Sequence, residues 1–148
     1  MNLKLKAVFL LLTFLFIQIY AQNLSPIGNW KTIDDVTGRE KSIVKIWEEN
    51  SKLYGKIIKL FRLPDEDPDP ICDECKGKNK DKQVLGMTIM WNLSQKKDQW
   101  KGGKILDPEN GKIYGCKIRV IENGEKLEVR GFLGISLLGR NQIWEKVE

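Results

Sequence analysis

Along most of the chain after its first residues, apolar and polar positions alternate with a period of two, the pattern of half-buried β-strands. In the segment 113–121, Cys116 and Ile118 share one face of the predicted strand, and Lys117 and Arg119 share the opposite face. No stretch there sustains the 3.6-residue period of an amphipathic helix. The pattern therefore predicts an all-β protein.

Turn-forming residues divide this pattern into short segments. The pair Asn123–Gly124 suits a two-residue type I′ hairpin, because both central positions of that turn have positive φ. In Asp107–Gly111, a proline with fixed φ and a final glycine predict a type I turn followed by a left-handed residue. The segments between turns predict eight strands: Gly28–Asp34, Ser42–Glu48, Leu53–Leu60, Val84–Trp91, Gln99–Leu106, Lys112–Ile121, Lys126–Phe132 and Arg140–Val147.

Eight consecutive strands joined by short loops favour an antiparallel up-and-down meander. Closing the meander into a single barrel removes its exposed edges, and a barrel of about eight strands is either filled by side chains or holds one small ligand. A flattened sandwich is the alternative. The connection over residues 61–83 is long, charged and rich in proline, which is typical of a functional lid or a mobile segment.

The first 21 residues have the layout of a secretory signal peptide. Lys4 and Lys6 precede the apolar run Ala7–Tyr20, and Ala21 offers a small residue for cleavage. The run is shorter than the roughly 20 residues that a membrane-spanning helix needs. We therefore expect an exported protein whose mature form has no membrane span, with residues 22–148 forming one domain.

Charge and composition exclude several classes of function. Removal of Lys4 and Lys6 lowers the formal charge of +5 by two, and the remaining basic residues are scattered among acidic ones. Nucleic acid is therefore not an expected partner, since phosphate binding needs a concentrated basic surface. The chain contains no histidine, which excludes Ser-His and Cys-His nucleophiles and imidazole zinc ligands. We expect neither a metal nor a cofactor.

Cys72 and Cys75 form a C-x-x-C in the long connection, while Cys116 lies on a predicted strand. Three roles are open for the pair: a structural disulfide, a thiol–disulfide exchange site or a metal site. The flanking Asp73 and Glu74 disfavour a reactive thiolate, and a closed zinc site lacks a fourth ligand. A structural disulfide is favoured, because exported proteins are oxidised; Cys116 is expected to be a buried free thiol.

Four stretches, taken in order, resemble one family: GNWKTIDDVTGREKSIVKI, the C-x-x-C, GGKILDPENGKIY and VRGFLGISLLGRNQIW. The family is an uncharacterised one of small secreted bacterial proteins, catalogued as a domain of unknown function with a lipocalin-like (calycin) β-barrel. The resemblance extends from Gly28 to Trp144. It implies the fold and a periplasmic or extracellular location, and it names no activity.

Lipocalin-like barrels commonly carry Gly-x-Trp on the first strand, with the indole closing one end of the barrel and an arginine from the last strand packed over the ring. The resemblance implies these structural roles for Gly28, Trp30 and Arg140. A guanidinium stacked on an indole face is a favourable contact.

Asp34 and Asp35 are adjacent to the turn residues Val36-Thr37-Gly38. Neighbouring residues of a strand point to opposite faces, so the two carboxylates are poorly placed to act together on one substrate. An aspartate before such a turn more commonly accepts hydrogen bonds from its own backbone. We therefore predict structural roles for both.

The last two strands contain candidate ligand-binding residues. Arg130, Arg140, Gln142 and Trp144 could place cations, an amide and an indole at one barrel end, where they would hold the carboxylate or phosphate head of an amphipathic ligand. The alternative is that these groups point outward or satisfy one another. The residues expected to line the apolar part of the site are Tyr114, Ile118, Val120, Val44, Ile46, Ile57, Met87, Ile89, Leu127 and Val129.

The sequence thus predicts a secreted or periplasmic lipocalin-like protein that binds a small hydrophobic or amphipathic molecule without turnover. Two other classes stay open: an envelope-associated interaction protein with a packed barrel, and an enzyme of the isomerase or cyclase kind. The interior of the barrel distinguishes them. The oligomeric state is not indicated.

Overall fold

Eight antiparallel strands follow one another in the computed structural model, which describes residues 24–135 and 137–148. They are β1 (Gly28–Ile33), β2 (Glu40–Glu49), β3 (Lys52–Leu60), β4 (Thr88–Lys96), β5 (Gln99–Asp107), β6 (Lys112–Ile121), β7 (Lys126–Phe132) and β8 (Gly139–Val147). Each strand pairs with its neighbours in sequence, and β1 pairs with β8 to close a barrel. The predicted all-β, up-and-down barrel is confirmed. The leader predicted over residues 1–21 lies outside the described residues.

The helical content of residues 24–135 and 137–148 consists of two 3₁₀ turns, Gly77–Asn79 and Glu122–Gly124. No helix in this part of the chain has the length and apolar character needed to cross a membrane.

The fourth strand begins later than predicted, at Thr88 instead of Val84. Val84 and Met87 are buried, yet they belong to a turn in which the Met87 N–H donates to the Val84 carbonyl at 3.1 Å. The Val84 N–H also donates to the Pro70 carbonyl at 2.9 Å. The apolar residues that mimicked the start of a strand therefore anchor the preceding loop to the barrel.

The hairpin between β6 and β7 is longer than the predicted two residues. Ile121 pairs with Lys126, which leaves four residues in the loop, and Glu122, Asn123 and Gly124 all have positive φ. The longer loop places the Glu125 carbonyl where it accepts a hydrogen bond from the Lys146 N–H at 2.9 Å. The predicted turn over Asp107–Gly111 forms as expected, with the Gly111 N–H donating to the Asp107 carbonyl at 2.9 Å.

Trp30 is fully buried in the core of the barrel. Its indole N–H donates to the carbonyl of Pro26 at 2.8 Å, so the segment preceding β1 is held against the ring. The predicted stacking of Arg140 on Trp30 is wrong. Lys146, which pairs with Trp30 across β1 and β8, holds its ammonium 6.0 Å from the ring centre. Gly28 enters β1 with φ +136°, a conformation that favours glycine.

The long loop (residues 61–87) packs against the β5–β6 turn of the barrel. A disulfide joins Cys72 to Cys75, as predicted. The oxidised Cys72 Sγ has no proton and lies in close contact, at 3.2 Å, with the Pro108 carbonyl oxygen of the β5–β6 turn. A Cβ on Gly111 of the same turn would lie 2.1 Å from the Glu74 carbonyl oxygen. The loop and the turn therefore pack backbone against backbone.

Candidate functional site

The barrel interior is divided into a packed part and an open part. A cavity of about 950 Å³ occupies one end. Its walls come from the β1–β2, β5–β6 and β7–β8 connections, from the long loop, and from the strand ends beside them. The buried side chains that pack away from the cavity are Trp30, Val44, Ile46, Leu53, Met90, Leu93, Cys116, Ile118, Val120 and Leu127.

This division corrects part of the predicted lining. Tyr114, Ile57, Ile89 and Val129 border the cavity. The other predicted lining residues do not border it, and most of them fill the packed part: Ile118, Val120, Val44, Ile46, Met87 and Leu127. Strand alternation places all of these residues except Met87 inward, but it does not indicate how far along the barrel axis the packing extends.

A chain of polar contacts crosses the inner face of β8 beside the cavity. Arg140, Gln142 and Trp144 are two residues apart, so they share one face of the strand. The Trp144 indole N–H donates to Gln142 Oε1 at 3.2 Å, and Gln142 Nε2 donates to Asp35 Oδ2 at 3.4 Å. Arg140 Nε lies 3.2 Å from the same carboxylate oxygen. We call these four residues the polar ladder.

The two adjacent aspartates have different surroundings. Asp34 Oδ1 accepts hydrogen bonds from the Val36 N–H at 3.0 Å and from the Thr37 N–H and hydroxyl at 2.7 and 2.9 Å. The backbone hydrogen bond from Thr37, followed by the hydroxyl bond, lowers the pKa of Asp34. Asp35 instead contacts β8 through the polar ladder.

A second polar contact crosses the open end of the barrel. Lys41, at the start of β2, forms an ion pair with Glu109 in the β5–β6 turn, and its ammonium lies 3.8 Å from Asp34 Oδ2. Asn110 in the same turn donates to the Tyr114 hydroxyl at 3.2 Å. The sequence pattern does not indicate Lys41, Glu109 or Asn110 as site residues, because the turn signal over Asp107–Gly111 specifies a backbone shape and not what the side chains face.

Arg130 does not join Arg140 at the cavity. It lies on the outer face of β7 with Glu128, while Val129 between them faces inward. Its guanidinium donates to Asn141 Oδ1 at 2.8 Å and to the Leu137 carbonyl at 3.3 Å. The prediction that Arg130 and Arg140 together hold a ligand at one end of the barrel is therefore wrong, because Arg130 is on the outer face of β7 while Arg140 borders the cavity.

Carboxylates outnumber cations around the cavity. The charged lining residues are Asp34, Asp35, Asp73, Asp107 and Glu109 against Lys41, Arg62 and Arg140. Within residues 24–135 and 137–148, no three His, Cys, Asp or Glu side chains are grouped so that they could hold a metal ion. Cys116 is fully buried, and burial raises the pKa of its thiol to about 12.

Comparison with known proteins identifies a similar solved structure and a sequence family. Protein HP1028 from the human pathogen Helicobacter pylori, described as belonging to the lipocalin family, has a similar solved structure with a TM-score of 0.71. The two chains are 21% identical over 84% of each, a likeness that shows the fold alone. No curated protein matches the sequence. Residues 28–146 match a bacterial family over nearly the whole barrel. The chain therefore belongs to the family described as "Uncharacterized protein conserved in bacteria (DUF2147)".

Proposed function

We propose that this protein is an exported, non-catalytic binder of one small hydrophobic or amphipathic molecule, which it holds in the open part of its barrel. The supporting observation is the cavity of about 950 Å³, whose walls combine apolar side chains with the polar ladder and other charged groups. This volume lies near the upper end of the roughly 300–1,000 Å³ typical of small-molecule sites. A barrel packed solid throughout would offer no such space.

The lining residues support one orientation of the bound molecule. Its apolar part would contact Ile57, Ile89 and Val129 on three different strands. Its polar end would meet Asp35 and Arg140, which together offer an acceptor and several donors. Because Arg140 is already paired and carboxylates outnumber cations at the cavity, a neutral or cationic polar end fits better than the carboxylate or phosphate expected from the sequence.

Export is supported by the Cys72–Cys75 disulfide. Disulfides persist in oxidising compartments such as the bacterial periplasm and the extracellular space. Together with the predicted leader, the disulfide favours a protein that sequesters or transports its ligand outside the cytoplasm.

Native mass spectrometry of the protein purified from its own host tests the proposal. We expect a reproducible additional mass that denaturation releases as a lipid-like or other amphipathic metabolite. In parallel, the purified protein should bind the neutral apolar dye phenylnaphthylamine with an increase in dye fluorescence.

Two variants make the dye assay specific to the cavity. Gly131→Phe would direct a ring into the cavity, since a Cβ on Gly131 faces Tyr114 and Ile105 at 3.6 and 3.8 Å. Lys126→Phe adds the same ring to the outer face of the same strand. We expect Gly131→Phe to abolish dye binding and Lys126→Phe to retain it. Equal binding by both folded variants, together with a bare protein from the host, would contradict the proposal.

A further inference from the structure

The loop between β7 and β8 exposes a cluster of large apolar side chains. Leu133, Ile135, Leu137 and Leu138 are 55%, 60%, 84% and 69% exposed, and we call them the apolar tip. Leu133 and Leu138 also border the cavity, so the tip stands beside its opening. Single exposed apolar residues are ordinary, whereas a contiguous group on one projecting loop is typical of an interaction site.

A basic groove lies directly beside the tip on the outer face of the barrel. It has a volume of about 360 Å³ and is lined by Lys117, Arg119 and Arg130, with Glu128 as its acidic residue and Leu137 of the tip at its edge. The groove therefore carries three cations against one carboxylate. Arg130 connects the two features, because its guanidinium donates to the Leu137 carbonyl at 3.3 Å.

Arg119 stays accessible in the groove although it is already paired. Its Nη2 pairs with Glu128 Oε1 at 3.2 Å. Its Nε is buried and has no hydrogen-bond partner within the described chain. The Arg119 side chain as a whole is nonetheless 43% exposed, and phosphate oxygens are preferred acceptors for guanidinium groups.

We propose that the apolar tip and the basic groove together form a docking surface for an anionic lipid bilayer. The tip would enter the boundary between headgroups and acyl chains, while Lys117, Arg119 and Arg130 face the headgroup phosphates. Apolar side chains flanked by cations are the arrangement that binds such surfaces, since burial and attraction to anionic lipid act together.

The shape of the tip favours a bilayer over a protein partner. A stable protein–protein interface buries about 800 Å² on each side, and four side chains on one loop cover less than that. A projecting apolar loop can instead enter a fluid layer without a complementary pocket. The charges favour one orientation, because Asp73 on the long loop and Glu109 on the β5–β6 turn, which also line the cavity, would be repelled by anionic lipid. Docking therefore occurs on the β7–β8 side, which brings the cavity opening next to the lipid.

Flotation with lipid vesicles tests this inference separately from ligand binding in the cavity. The purified protein should float with vesicles of phosphatidylcholine containing about one third phosphatidylglycerol and bind much less to phosphatidylcholine alone. We expect Leu137→Ser/Leu138→Ser and, separately, Lys117→Gln/Arg119→Gln to weaken binding to the anionic vesicles by about tenfold.

Matched controls are available on the far side of the barrel. Ile58 is 39% exposed on β3, and Lys45 and Lys56 are exposed on β2 and β3. Ile58→Ser and Lys45→Gln/Lys56→Gln should bind vesicles as the unmodified protein does.

Three outcomes would overturn the proposal. One is the absence of binding to anionic vesicles at low salt. Another is an equal loss in Lys45→Gln/Lys56→Gln, which would show attraction to net charge alone. The third is a dimer in solution that Leu137→Ser/Leu138→Ser converts to a monomer without any vesicle binding, which would identify a second copy of the chain as the occupant. The Gly131→Phe variant should float normally, so failure of the cavity proposal leaves this test intact.

Discussion

Asp35 and Arg140 join the first turn of the barrel to its last strand, with Arg140 Nε 3.2 Å from Asp35 Oδ2. Backbone pairing between β1 and β8 covers only Asn29–Lys31 and Glu145–Val147. Toward the cavity the two strands diverge, and the ion pair connects them there. The side chains that we propose meet the ligand's polar end therefore also link the two edges at the point where the barrel closes.

Arg140→Gln should separate these two roles. The Arg140 side chain is 70% exposed, so loss of its ion pair should lower the free energy of unfolding by no more than about 1 kcal/mol. We expect a larger effect on binding, with the affinity for a neutral ligand that accepts a hydrogen bond reduced about tenfold because an oriented charged donor is lost, while the apolar dye keeps its affinity. Urea unfolding and fluorescence titration measure the two effects. A variant that loses stability while keeping full affinity would contradict the assigned role.

Asp34 should make the fold sensitive to acid. The hydrogen bonds from Thr37 lower its pKa in the folded state, so Asp34 contributes stability above its ordinary pKa of about 3.9 and loses that contribution as the pH falls through the folded value. We expect Asp34→Ala to be less stable than the unmodified protein at neutral pH. The difference should shrink progressively below about pH 4.

Asp34→Asn is the matched control for this prediction. Its amide oxygen can accept the same hydrogen bonds but does not titrate. It should keep part of the stability and lose the pH dependence, as measured by urea unfolding at neutral and acidic pH. A pH-independent difference between Asp34→Ala and the unmodified protein would disprove the explanation.

Gly111→Ala should detach the long loop from the β5–β6 turn. Gly111 has φ +67°, and an added Cβ would lie 2.1 Å from the Glu74 carbonyl oxygen. Gly38→Ala is the control, since Gly38 has φ +71° but no atom within 4 Å of an added Cβ. Both variants should lose about 1–2 kcal/mol for the left-handed backbone. Gly111→Ala should lose roughly 2 kcal/mol more for the overlap, and equal losses would argue against docking of the loop.

The Cys116 thiol should be unreactive toward alkylating reagents in the folded protein. Burial raises its pKa to about 12, and the thiolate is the reactive form. We expect iodoacetamide at mildly alkaline pH to leave the native protein unmodified and to add one label after unfolding in guanidinium. The oxidised Cys72–Cys75 pair does not compete for the reagent. Rapid labelling of the native protein would show that this strand opens.

The strand pattern predicts the barrel because period-two alternation and turn chemistry are local properties. Residue type predicts the reversals at Asn123–Gly124 and Asp107–Gly111 and the positive φ of Asn123, Gly124 and Gly111, but it does not predict the longer loop or the positive φ of Glu122. The position of Arg140 relative to Trp30 depends instead on the register between the first and last strands. That register is set by how the whole sheet closes, so no local pattern reports it.

Arg130 shows a different kind of error. The alternation in KLEVRGF places it on the face opposite Leu127 and Val129, and the structure keeps it there. The prediction that Arg130 binds the ligand rests on the chemistry of its guanidinium and disregards the inward–outward alternation of the strand. The contact between Lys41 and Glu109 could not be predicted from the sequence. It joins residues 68 positions apart across the open end of the barrel, and no local pattern reports such a contact.

The division of the barrel interior has a consequence for engineering. Residues such as Trp30, Leu53 and Leu127 are fully or almost fully buried and none of them borders the cavity, whereas Ile105 and Tyr114 border it and are only partly buried. Substitutions that change the shape of the cavity therefore leave the most tightly packed part of the core intact. The protein is suited as a starting scaffold for selecting new small-molecule receptors, in which randomised positions beside the opening are supported by an unchanged core.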